Sequence, residues 1–365
     1  MGILNLFKRA ARPPHDDTAA TANAVAAING RLQAQVNGSA GSLGPELLLP
    51  FLRSRSAVAR QHLLDRTIGV QTARIAPICA IGSDLAVDLF ADHMGSDIGI
   101  DPQQLRDLNL DPAQALERAT ANLRERAKAD WTTLGPGVFV SGSSDGYASS
   151  RLLLPQSIAD LPVKGDPVAM APVRSMLLVT GTDDRNGLLT VAAAAAEALA
   201  ISNEPLSAQL LRHSHGTWVD FTPDPVEFAS LHDLMRGQHL REYAEQKELL
   251  DQLHADQDDD IFVANYAPMQ DRRTGRAFGM TFWADGMSSL LPRADVIAFK
   301  TAAEVILVPW DAAMPVVGHR IAETEHYPIR LRVGSFPSSD ELDRLRAVAT
   351  LAKPVRPAEI ETPAT

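Results

Sequence analysis

A single cysteine, Cys79, stands among the 365 residues, so no internal disulfide holds the chain and a reducing compartment suits it. Aromatic residues are scarce, at 5%, so any core must rest on aliphatic side chains. Positive charge is in deficit. Lys and Arg number 34 against 45 Asp and Glu, a net charge of -11, with the acids thickest at 256–260. Such a chain repels phosphate backbones unless it carries a basic stripe, and its densest basic stretch, 53–66, is sparse and has no aromatics among its charges. Nucleic acid is therefore excluded as an expected partner. No run approaches the roughly 18 apolar residues that a membrane span needs. Residues 1–9 are too short for a secretory signal and lack the Ser or Thr of a myristoylation pattern at position 6, so a cytoplasmic location is expected. Neither phosphate-binding glycine pattern, G-x-x-x-x-G-K-[ST] or G-x-G-x-x-G, occurs, and no cofactor is implied.

What is present is scaffolding. The hydrophobic fraction is 45%, enough for real cores. Asp101-Pro102 with Gln104, and Asp111-Pro112 with Gln114, share one design: an acid caps the helix, proline opens it, and the amide bonds back. Apolar Ala115, Leu116, Ala119 and Leu123 then fall on one face, predicting a helix over 112–129. Asp183-Asp184 opens another helix whose alanine run implies close packing on a sheet. Asp224-Pro225 with Glu227 begins a long helical stretch, with a kink expected at Gly237. Ser338 and Glu341 form a last capping box. Short apolar runs around Gly82-Ser83, Val173-Arg174, His215-Gly216 and 271–275 predict hairpins.

These elements predict an α+β protein: two α+β units with antiparallel or mixed sheets, joined by a long helix and preceded by a flexible segment. The expected divisions are 1–66, flexible or helical; 67–223, the first unit; 224–258, the linking helix; 259–352, the second unit; and 353–365, a tail. Ser149-Ser150 before Pro155 and Ser288-Ser289 before Pro292, each followed by an Asp and two apolar strands, suggest that the units are a duplication. Cys79, within the aliphatic run 75–81, is expected in the core.

Three patterns carry candidate chemistry. Gly142, Ser144 and Gly146 match G-x-S-x-G after the predicted strand 138–140, and Asp295 and His319 follow in the order of a hydrolase triad. The alternating βαβ units of that fold are missing, and ordinary loops share the pattern. His213 and His215 would place two imidazoles on one strand face, a spacing metals use, with no third ligand apparent. Asp256, Asp258 and Asp260 imitate a calcium loop, but Ile261 and Ala267 occupy the places of its glycine and bidentate glutamate.

Residues 145–155 (Asp-Gly-Tyr-Ala-Ser-Ser-Arg-Leu-Leu-Leu-Pro) and 165–184 (Gly-Asp-Pro-Val-Ala-Met through Val-Thr-Gly-Thr-Asp-Asp) resemble the YtpQ-like family, a bacterial domain of unknown function. Residues 86–92, the helix after Asp111 and 205–207 fit the same pattern, so the resemblance covers roughly 70–222. It implies an intracellular bacterial α+β domain and no particular reaction. Within its motifs, Tyr147, Ser149 and Arg151 would share a face if extended, and Asp145 could pair with Arg151. Together with Arg174 they form the candidate ligand or partner surface, set against a purely structural ion pair. The reading that follows is a non-enzymatic binding or regulatory protein acting through a protein partner. A serine hydrolase using Ser144 and a metalloprotein using His213 and His215 stand as alternatives.

Overall fold

A computed structural model describes residues 44–69, 78–93, 96–126, 131–141, 146–271 and 275–349. The chain is α+β, with eight α-helices and four sheets among the described residues. Strand β1 (Leu48–Ser54) is an almost wholly buried apolar run, and it pairs antiparallel with β3 (Leu85–His93) along its whole length. Strands β2 (Cys79–Ile81) and β4 (Ser96–Gly99) complete that sheet. Helix α1 (Arg55–Thr67) follows β1 directly, capped by the Ser54 hydroxyl. The first unit thus begins some twenty residues before the expected boundary at 67. The run Leu-Leu-Pro-Phe-Leu, within the segment expected to be flexible or helical, is a strand, because pairing with β3 satisfies its backbone and buries both faces. Helices α2 (Pro102–Asp107) and α3 (Pro112–Arg126) carry the predicted caps, with both reciprocal bonds formed at Asp101/Gln104 and at Asp111/Gln114.

The second sheet is antiparallel and six-stranded, in the order β10-β9-β7-β8-β6-β5. Its members are β5 (Trp131–Gly135), β6 (Val138–Ser141), β7 (Pro167–Val173), β8 (Met176–Gly181), β9 (Leu210–Ser214) and β10 (Thr217–Phe221). A 3-10 turn (Ser149–Leu153) and the short α4 (Pro155–Ala159) precede β7. Alternate residues of β7 and β8 serve two cores. Val168, Met170 and Leu178 pack on α5 (Arg185–Ile201), where Ala192 and Ala195 let the helix approach. Ala169, Ala171, Leu177 and Val179 point the other way, onto Leu52, Leu85 and Val87 of the first sheet. A fully buried leucine such as Leu177 contributes about 1.5–3 kcal/mol by leaving water. Cys79 lies on the outer strand β2 and is exposed, which corrects the expectation of a core thiol.

Helix α6 (Ala229–Gln257) is one unbroken element despite Gly237. It begins four residues after Pro225, because Asp224 instead accepts from the N–H groups of Val226 and Glu227 in a preceding turn. Leu231 packs into the core beneath α5, whereas Leu250 and Leu253 pack with Leu63, Val263 and Leu290. The helix is therefore a wall shared by both units. In the second unit, β11 (Phe262–Val263), β14 (Ser289–Pro292), β18 (Arg330–Val333) and β17 (Ile321–Glu323) form one mixed sheet. Strands β12 (Ala267–Gln270), β13 (Ala277–Ala284), β15 (Val296–Lys300) and β16 (Val305–Pro309) form the other, with β13 and β15 parallel. Helices α7 (Trp310–Val317) and α8 (Ser339–Val348) close the core around Trp283 and Phe299. At the hairpin predicted around 271–275 it is β12 that pairs with β13, while β11 joins β14.

The suggested duplication holds only as a hairpin followed by a helix. In the first unit β7 and β8 lie inside an antiparallel sheet, whereas β15 has a parallel neighbour and β16 is an edge. The Ser-Ser-Leu entries also differ, being a 3-10 turn in one unit and strand β14 in the other.

Candidate functional site

The largest described cavity, about 890 Å³, lies where the last turns of α6 meet the carboxyl ends of β13 and β15. Parallel strands ending side by side leave their terminal loops free to line a crevice. Here the loops are those after Ala284 and after Lys300, tied together by the Asp285 N–H donating to the Lys300 carbonyl at 3.2 Å. Thr301 stiffens the second loop, its Oγ1 accepting from the N–H groups of Ala303 at 3.2 Å and Glu304 at 3.0 Å.

The helix side of the cleft is set by the end of α6. Asp258 stops the helix in the left-handed region, at φ 56, a conformation aspartate tolerates better than most residues. Its N–H and that of Asp259 both close on the His254 carbonyl. Lys247 Nζ donates to Asp251 Oδ2 and to the Val263 carbonyl, each at 2.7 Å, and lies 5.3 Å from the Phe262 ring centroid. Asp251, Asp259, Asp260 and Asp285 thus face a cleft also lined by Lys247, Lys300 and His254. The run 256–260, read in sequence as a failed calcium loop, is the end of a helix and the rim of this cleft. Its signal was available as the densest acid of the chain. Asp251, Asp285 and Lys300, by contrast, join it only through the fold.

The residues singled out in sequence lie elsewhere. Ser144 and Asp145 fall outside the described residues. Tyr147, Ser149 and Arg151 do not form an extended surface face: they enter and build a buried 3-10 turn, with Ser149 fully enclosed and Tyr147 edge-on to Phe51. The apolar Leu-Leu-Leu after Arg151 draws that segment inward, against β1 and β8. Arg174 lies over the Phe51 ring at 3.5 Å and donates to the Gly146 carbonyl at 3.4 Å. Of these residues it alone lines a described groove, about 320 Å³, with Ser202, Asn203 and Glu204. His213 and His215 do not share a strand face, because β9 ends at Ser214 and His215 sits in the turn at φ 48. His213 leans on Trp218, with ring centroids 5.0 Å apart. Among the described residues no three His, Cys, Asp or Glu side chains gather as a metal site. Asp295 and His319 serve separate local structures, the first accepting from the Gly279 N–H at 2.6 Å and the second 3.2 Å from Glu341. Again among the described residues, no helix is long and apolar enough to cross a membrane. Comparison with protein-family models, curated proteins and solved structures finds no match.

Proposed function

We propose that the chain is a non-enzymatic, cytoplasmic binding protein whose cleft beyond α6 takes a basic segment of a protein partner. One observation carries this reading: a cavity of about 890 Å³ sits at the carboxyl ends of two parallel strands, and four aspartates rim it. A cationic side chain entering there gains charge-assisted bonds, and the same rim repels phosphate. The YtpQ-like kinship of residues 70–222 stands as part of the proposal and supplies no reaction to set against it.

The test is fluorescence anisotropy of a labelled Lys/Arg-rich decapeptide and its Glu-rich counterpart. Wild type should bind the basic peptide alone, and binding should weaken with salt, since exposed charges are screened within about 10 Å at 0.1 M. The triple variant Asp259→Asn, Asp260→Asn, Asp285→Asn should weaken it about tenfold or more, each exposed pair contributing up to about 1 kcal/mol. Equal binding by wild type and the triple variant sinks the proposal. Labelling of Ser144 in the folded chain by a fluorophosphonate would replace it with a hydrolase.

A further inference from the structure

Along α6 from the cleft, the two units meet over the first half of the helix at a pair of carboxyl groups. The turn between β2 and β3 presents Ser83 and Asp84. Gly82 makes that turn possible: it has φ +57, and a Cβ there would collide with Asp220, whose carboxylate accepts from the Ser83 N–H at 2.9 Å. From the second unit, the segment before β18 lies on α6. Gln246 Nε2 donates to the Pro328 carbonyl at 2.8 Å, and the Tyr243 hydroxyl donates to that of Ile329 at 2.9 Å. The Tyr327 side chain reaches across to the first unit, its hydroxyl 2.6 Å from the Ser83 carbonyl and 3.2 Å from Asp84 Oδ1.

Gln238 of α6 joins the two carboxyls. Its Oε1 accepts from the Ala208 N–H at 2.5 Å, which fixes the direction of the amide. The amide nitrogen then donates to Asp84 Oδ2 at 3.0 Å and to Glu242 Oε1 at 2.8 Å. Two carboxyls bridged by one nitrogen are close neighbours, and like charges at that range disfavour double ionisation. Asp84 is the better-supplied anion, for the hydroxyls of Ser83 and Ser207 also donate to it, each at 2.9 Å. Among the described residues, Glu242 is bonded by Gln238 and by Ser56 of α1.

The surrounding charges are otherwise engaged. Arg55 of α1 donates to the Ser83 carbonyl at 2.8 Å and lies 4.1 Å from the Tyr327 ring centroid. Arg60 of α1 faces Glu245 at 3.3 Å, whereas Arg241 of α6, exposed, draws Glu242 down by less than burial and Asp84 push it up. Burial holds His239 toward its neutral form, against the pull of Asp84 on one side and Asp295 on the other.

We infer that the closed seam between the two units keeps a proton on Glu242, and that loss of this proton drives the Asp84 turn away from α6 and so strains the bonds that Tyr327 makes to that turn. Burial, then the neighbouring Asp84, push Glu242 up to about 7 from an ordinary 4.5. A carboxyl raised on folding stabilises most below its unfolded value. That contribution therefore drains away as pH rises from about 4.5 to about 7 and then levels off. Tyr327 also walls a groove of about 240 Å³ with Arg55, His62 and Cys79, so its release would open that groove toward the carboxyl pair.

Urea unfolding of the full chain across this pH range tests the inference against Glu242→Gln, which keeps the Gln238 bond without a charge. The wild-type folding constant should fall about a hundredfold relative to the variant as pH rises. Amide exchange in segment 324–329, corrected for its intrinsic pH dependence, should quicken in wild type and stay unchanged in the variant. Superimposable profiles for the two proteins overturn the inference. So does carbon-13 NMR of the wild type alone, if the Glu242 carboxyl titrates as an ordinary glutamate, which keeps the test decisive even where the variant fails to fold.

Discussion

The two sides of α6 bury charge in opposite ways. Toward the second unit, Arg330 is fully enclosed over the Tyr243 ring, and its described hydrogen-bond acceptors are neutral oxygens: Gln246 Oε1 at 2.7 Å and the carbonyls of Ala264 at 2.6 Å, Leu290 at 3.1 Å and Tyr243 at 3.0 Å. Burial lowers it only to about 10, so it remains a cation at neutral pH. Toward the first unit, Glu242 has a shared amide, one hydroxyl and a competing carboxylate. A planar guanidinium can saturate several fixed dipoles at once, whereas a carboxyl short of donors takes up a proton. One side of the helix is thus locked by a permanent charge, and the other is held by a proton that can leave.

Removing the permanent charge should have the largest effect. Arg330→Met fills a similar volume but strips a hydrogen bond from several buried oxygens, and should cost about 3 kcal/mol in urea unfolding. A loss below about 1 kcal/mol would show that those oxygens find other donors, and the contrast would collapse. On the opposite side, Gln238→Leu leaves the buried Ala208 N–H without its acceptor and unbridges the carboxyls. It should cost about 2 kcal/mol, and more at high pH than at low. A pH-independent loss would break the assignment of the proton to this side. The smallest effect sharpens the comparison with a third acid. Arg320, then the Ser338 N–H, hold Glu341 down to about 2, the opposite of Glu242. A carboxyl lowered on folding stabilises above its unfolded value. Its contribution should therefore persist at neutral pH and disappear as pH falls from about 4.5 to about 2. Glu341→Gln should lower the neutral plateau of the unfolding profile and flatten its acid limb.

The second-unit sheets also explain why the cleft was hard to read. Its acid run was visible, but the parallel pairing of β13 with β15 that opens it joins residues with an intervening strand between them in sequence. The tyrosine, serine and arginine of 147–151 show the converse. Their polarity suggested a surface, yet the leucines beside them carry the whole segment into the core. Composition reports what a side chain can bond to, while burial depends on what its neighbours exclude.

The order of residues alone determined the α+β class, the capped helices after Asp101, Asp111 and Ser338, and the hairpins at Gly82 and Gly216. Each of these arises from partners within a few positions, where capping bonds and turn conformations act. The tertiary structure decided that residues 48–54 are a central strand, that Cys79 is outside and Arg151 inside, and that Glu242 meets Asp84 while Arg330 meets carbonyls. Those partners lie tens to hundreds of positions apart, so their fields combine only once the chain has folded.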